Sequence, residues 1–263
     1  MSKKRKRVFE LTLTSILGAV IMVLSLVPQL GFITIAPGIT VTIVHIPVII
    51  GIFLLNMSNS LLLGFLFGLG SLIAALSNSE PFNQAFINPL VSIVPRVIFA
   101  YLTVYLVRAF KLLNNSPKGK TLMFVMVSVI TSFAFLFGID NALKLITPEH
   151  FSNVAKVSRP ITLLFIFIFI GLYYYVAFKK KSHVTYIPSV FIISTVIHTI
   201  VVLTAVFIVR PKVFFDTFGE NQSVLGIIFM IAMVNGLIEA IVAAIIGTPI
   251  AIATTNYLEG DRE

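Results

Sequence analysis

The chain has 263 residues, 58% of them apolar and 11% charged, with a mean hydropathy of +1.04, which places it among membrane proteins and leaves no stretch for a soluble domain. It contains no cysteine, so disulfides, thiolate metal sites and cysteine nucleophiles are excluded. The net charge of +9 sits in the flanks of apolar runs, and no basic-aromatic stretch outside them offers a nucleic-acid surface.

The N-terminal Lys3-Lys4-Arg5-Lys6-Arg7 and the apolar run after it have the outline of a signal peptide. The run to Leu30 is too long for a signal core and has no clear small-x-small cleavage site, so it reads as a retained first helix. Crossing a bilayer takes about 20 apolar residues. Candidate spans lie at 9–30, 40–56, 60–77, 87–110, 121–139, 161–178, 186–209 and 223–255, predicting about eight spans in a single integral membrane domain, 1–263. The apolar connection 30–42 is broken by Pro37-Gly38 and predicts a loop dipping into the outer leaflet, buried by protein. Span four opens irregularly, because Pro89 and Pro95 leave carbonyls that need other partners. That irregularity points to a pocket framed by spans three and four.

An even number of spans puts both termini on one side. Of the 19 Lys and Arg residues, 13 then share that side: residues 3–7, Arg108, Lys111, Lys118, Lys120, Lys179, Lys180, Lys181 and Arg262. Lys144, Lys156, Arg159, Arg210 and Lys212 lie opposite, and Arg96 lies within a span. The positive-inside rule therefore predicts cytoplasmic termini, with the 31–41, 77–84, 140–160 and 210–222 connections outside.

Charges inside apolar spans are the candidate functional groups, since a bare ion at mid-bilayer costs at least a few kcal/mol. Counted from the outer span ends, Arg96 lies at about 14 Å, His198 at about 16 Å, Asn235 at about 18 Å and Glu239 at about 24 Å. Asn235 and Glu239, four residues apart, share a helix face. Arg96 and Glu239 fit either a structural ion pair between spans four and eight or the floor of an outward-facing ligand cavity, and the two readings overlap. Asn235 suits an interhelical hydrogen bond or a ligand contact equally, and His198 a packing or a ligand role. His45, directly before the Ile46-Pro47 pair, lies at the level of the dipping loop, and Asn83 and Asn88 lie on the approach to Arg96.

Enzyme signatures are absent: there is no His-Glu-x-x-His, no Gly-x-Ser-x-Gly and no phosphate-binding Gly-rich loop, so the chain cannot use ATP alone. No catalytic residue, metal or cofactor is expected. Apart from Glu10 at the edge of span one, Glu239 is the one acidic residue within the spans, which disfavours a multi-step proton relay but leaves a one-carboxylate antiporter open. Small residues form two faces: Ser15, Gly18 and Ala19 in span one, and Gly64, Gly68, Ser71 and Ala75 in span three. Such faces serve close helix packing or, for span one, docking onto another membrane subunit.

Four segments in this order resemble the substrate-binding S component of energy-coupling factor (ECF) vitamin transporters. They are Ile43-Val44-His45-Ile46-Pro47-Val48-Ile49-Ile50-Gly51; Leu63-Gly64-Phe65-Leu66-Phe67-Gly68; Asn88-Pro89-Leu90 with Val94-Pro95-Arg96; and Asn235-Gly236-Leu237-Ile238-Glu239-Ala240. The resemblance covers 8–112 and 186–255 and implies a six-helix core, with 113–182 as an inserted transmembrane hairpin whose 140–160 loop is a candidate external lid. It further implies capture of a water-soluble vitamin outside a bacterial cell membrane and delivery to a transmembrane T component driven by two ATPase subunits. His45, Asn83, Asn88, Arg96, His198, Asn235 and Glu239 carry over as substrate-binding candidates, and Ser15, Gly18 and Ala19 as the T-component docking face. The sequence departs from the family in having Asn56-Met57-Ser58-Asn59 where Gly-Pro-Lys is usual. The His-Ile-Pro and Val-Pro-Arg motifs are closer to pantothenate and hydroxymethylpyrimidine members; pantothenate, a carboxylate, suits bidentate pairing with Arg96. The alternative is a stand-alone, ion-coupled transporter of a small organic solute.

Overall fold

The computed structural model describes residues 3–36, 39–77, 80, 82–146, 149–175, 178, 186–219 and 223–260. Its long helices are α1 (Lys3–Leu26), α4 (Met57–Leu76), α5 (Pro89–Asn114), α6 (Pro117–Ile146), α7 (Phe151–Tyr174), α8 (Ile187–Val209) and α10 (Val224–Gly260). Each of these seven contains a stretch long and apolar enough to cross a membrane, as in an all-α, multi-pass membrane protein. Shorter elements complete the chain: α2 (Pro28–Gly31), strands β1 (Phe32–Ala36) and β2 (Ile39–Thr42), α3 (His45–Leu54), a 3-10 turn at Asn83–Ile87 and α9 (Pro211–Phe218).

The 40–56 candidate forms no single span. Its first residues belong to β2, and its remainder is the 10-residue α3, about 15 Å long at the usual rise. The cause is local. Ile, Thr and Val dominate residues 32–42, and β-branched side chains favour extended backbone. β1 and β2 pair antiparallel, Phe32 opposite Thr42 and Ile33 opposite Val41, so the connection expected as a loop is a hairpin that satisfies its own backbone. Pro37 and Gly38 lie outside the described residues. From His45 to Ile52, α3 is buried on all sides, as its uniformly apolar sequence requires. It ends at Leu54, and the Asn56 side chain then caps α4 by accepting from the Asn59 N–H at 3.0 Å.

The most extensive helix pairings are α4 with α5, α8 with α10, α5 with α8 and α1 with α4. The Gly64/Gly68 face makes the α4–α5 approach possible. A Cβ at Gly64 would lie 2.8 Å from the Arg96 carbonyl oxygen, and one at Gly68 would lie 2.5 Å from the Ile93 Cα. Those two glycines set the depth at which α5 presents Arg96.

The 113–182 segment expected as an inserted hairpin contains α6 and α7. Helix continues through most of the 140–160 segment that the sequence offered as a lid, with α6 reaching Ile146 and α7 starting at Phe151. Asp140 and Arg159 join the two helices in a bidentate pair at 2.8 and 3.2 Å, which lets both run on past their apolar cores. Phe133 and Phe137 pack on Phe229 of α10, and Tyr173 hydrogen-bonds Ser189 of α8. α7 is the least buried of the long helices, with Phe167 and Leu164 facing outward.

Replacing Gly68 with leucine forces α4 and α5 apart. We expect a loss of about 1–3 kcal/mol, the usual cost of overpacking, seen as a lower thermal midpoint of the purified protein. An unchanged midpoint would show that the α4–α5 contact is not constrained at this position.

Candidate ligand-binding site

Arg96, His45, His198 and Glu239 come from α5, α3, α8 and α10 and meet beneath the β-hairpin. All four are buried, from fully enclosed at His45 to 8% exposed at Glu239.

Arg96 owes its position to the proline before it. Pro95 has no N–H to give the Val91 carbonyl, so that oxygen is left without its helical partner. Arg96 Nη1 donates to it at 2.8 Å. The guanidinium carbon lies 4.9 Å from the Phe86 ring centre and 5.5 Å from that of Phe67. Its Nε is buried without a hydrogen-bond partner. Among the described residues no carboxylate lies within 4.0 Å of it. Glu239 acts on it through longer-range attraction only. The expected direct ion pair between spans four and eight is therefore not made; the guanidinium is a buried cation with an open hydrogen-bonding edge.

Glu239 has a different partner. Its Oε1 accepts the Thr42 backbone N–H at 2.8 Å, tying the end of β2 to α10. Nothing in the spacing of the sequence marked Thr42, because the donor is a main-chain group that any residue would supply.

His45 and His198 stack nearly parallel, at 16° and 5.7 Å between ring centres. Thr195 Oγ1 donates to the Phe191 carbonyl at 2.8 Å and lies at hydrogen-bond distance, 3.0 Å, from His45 Nε2. Phe67 and Phe99 pack on His198 at 5.2 and 5.0 Å, and its Nδ1 is buried without a partner. His198 is thus a packed aromatic body with one unused polar atom.

The remaining candidates lie apart from this cluster. Asn88 caps α5, its side chain accepting from the Leu90 N–H at 3.0 Å, and Asn83 donates to Glu80 at 3.0 Å. Both occupy the rim of the α5 end. Asn235 sits one turn from Glu239 on α10 and is half-buried. Phe67, Phe86, Thr195 and Thr42 are site neighbours that sequence reasoning did not single out as binding groups; only Thr195 had a signal, its helical spacing beside His198.

The small-residue face of α1 lines a separate groove of about 340 Å³ between α1 and α4, with Thr14, Ser15, Gly18, Ala19, Leu62 and Leu66 among its walls. Ser15 and Ala19 are exposed there, whereas Gly18 is buried against Leu66.

The chain matches no protein-family model and no curated protein.

Two substitutions separate the roles of the buried charges. Arg96→Met removes a cation that has no close counter-ion but strands the Val91 carbonyl; the two effects oppose, so the ligand-free protein should nearly keep its thermal midpoint. A fall of several degrees would identify Arg96 as structural. Glu239→Leu strands the Thr42 N–H and should cost about 1–3 kcal/mol in the same measurement.

Proposed function

We propose that the chain is the substrate-capture S component of an ECF-type importer. In this reading it binds a water-soluble, anionic vitamin or vitamin precursor, with pantothenate favoured, and hands it to a T component and two ATPase subunits. The observation that carries the reading is Arg96: a buried guanidinium with an unpartnered Nε and no carboxylate within reach is built to receive an anion. Buried neutral polar groups at His45 and His198 suit the uncharged parts of such a solute.

The proposed arrangement is a six-helix core from 8–112 and 186–255, with 113–182 as the inserted hairpin. Both termini face the cytoplasm of a bacterial cell, and the β-hairpin faces outward. The distribution of Lys and Arg supports that orientation. The groove at Ser15, Gly18 and Ala19 supports a docking role for α1, since it lies on the outer face of the bundle and admits a close-packed helix. No catalytic step belongs to this chain in the proposal.

A second reading, an ion-coupled secondary transporter, draws on Glu239 as a buried carboxylate midway along a long helix. The two differ in their energy source. Capture by an S component predicts uptake that requires the ATPase module and survives an ionophore. Uptake that collapses with the ionophore and persists without ATP would favour the transporter and sink the capture reading.

Mass spectrometry of the small molecule that copurifies with the protein tests the site itself. We expect an anionic vitamin that is lost from Arg96→Ala and kept by Lys212→Ala, because Lys212 is exposed on α9. Equal retention by both variants would remove Arg96 from the site.

A further inference from the structure

A row of aromatic rings leads from α9 to Arg96. Phe214 of α9 is fully buried and packs on Phe218 at 5.2 Å; Phe218 meets Phe82 edge-on at 5.3 Å, and Phe82 meets Phe86 at 5.7 Å. Phe86 ends the row over the guanidinium, 4.9 Å from its carbon. These rings belong to the apolar cap formed by the 82–91 segment, the end of α8, α9 and the start of α10.

The two aromatic neighbours of Arg96 differ in their freedom. Phe67 lies in the interior of α4 and is 3% exposed, so helix packing fixes it. Phe86 is half-buried and sits in a 3-10 turn at the end of the bundle, ahead of the Asn88-capped start of α5. An anion approaching the unpartnered Nε from that end therefore meets Phe86 as the displaceable neighbour. The other cover of the cluster, the β-hairpin, is tied down through Thr42 and Glu239.

We propose that Phe86 is the gate of the Arg96 site, its ring moving off the guanidinium to admit a small carboxylate from the 3-10 turn end of α5, while Arg96 selects for charge. Its ring face holds the guanidinium while the site is empty, and an anion replaces that weaker contact. A cation gains nothing from the exchange, because it would arrive beside Arg96. The inference rests on the reading of Arg96 as a ligand group, but it is testable without the vitamin.

The absence of native cysteine makes the test direct. Ser92 lies one turn from Arg96 on α5, and its hydroxyl donates to the Phe86 carbonyl. The measurement is the labelling rate of the single thiol of Ser92→Cys, in the full chain in lipid nanodiscs, by a sulfonate-bearing and a trimethylammonium-bearing methanethiosulfonate. Adding Phe86→Ala should speed labelling by the anionic reagent about tenfold, from loss of one buried cation–ring contact. The anionic reagent should also outpace the cationic one, and Arg96→Gln should erase both that preference and most of the gain from Phe86→Ala. Phe86→Leu, which keeps most of the apolar volume, should accelerate labelling in the same direction by a smaller factor, and it serves if the alanine variant does not fold.

Unchanged rates in both Phe86 variants, or equal rates for the two reagents, would overturn the proposal. Acceleration by Glu239→Gln alone would also overturn it and move the route beneath the hairpin. Absence of a copurified vitamin would overturn the capture reading without altering these rates.

Discussion

An uncompensated guanidinium in an apolar bundle is the constraint around which the rest is arranged. Arg96 is held there by a carbonyl that Pro95 leaves without its helical partner and by two aromatic faces. None of these contacts neutralises its charge. A protein selected for stability alone would place a carboxylate beside such a group or replace it with an apolar residue. The proposal assigns the missing counter-charge to a solute.

The neighbouring carboxylate strengthens that argument because it is otherwise engaged. Glu239 is spent on a main-chain donor of the hairpin, so the two opposite charges of the cluster serve different covers of one buried volume. The stacked imidazoles add polar atoms to the cluster, and Thr195 hydrogen-bonds His45. In the proposed reading, the cluster supplies one anion-binding guanidinium among hydrogen-bonding and aromatic walls.

Close packing delivers these groups to one place. Gly64 and Gly68 bring α4 against α5 at the level of Arg96, while α8 and α10 pair along their length and carry His198 and Glu239. The α6–α7 hairpin attaches to the outside of that arrangement through α10 and the Tyr173–Ser189 contact, and none of its described side chains enters the cluster. It adds membrane-facing surface to a bundle whose polar centre is formed by other helices.

Much of this was legible in the sequence, because long apolar runs have few solutions in a bilayer and a charge within one is conspicuous. Seven of the candidate spans contain long helices, and Arg96, His198 and Glu239 stood out by residue type alone. The Pro95 effect was also foreseeable, since a proline always leaves a helical carbonyl without its partner. Tertiary structure decided what composition cannot encode. A run of Ile, Thr and Val is as apolar in a strand as in a helix, so the 40–56 candidate became a hairpin end and a short helix. Asn83 and Asn88 found partners within a few residues, whereas Glu239 took a main-chain donor 197 positions away. Whether Arg96 and Glu239 pair depends on sub-nanometre distances between helices, which are set by side-chain packing and leave no trace in residue spacing.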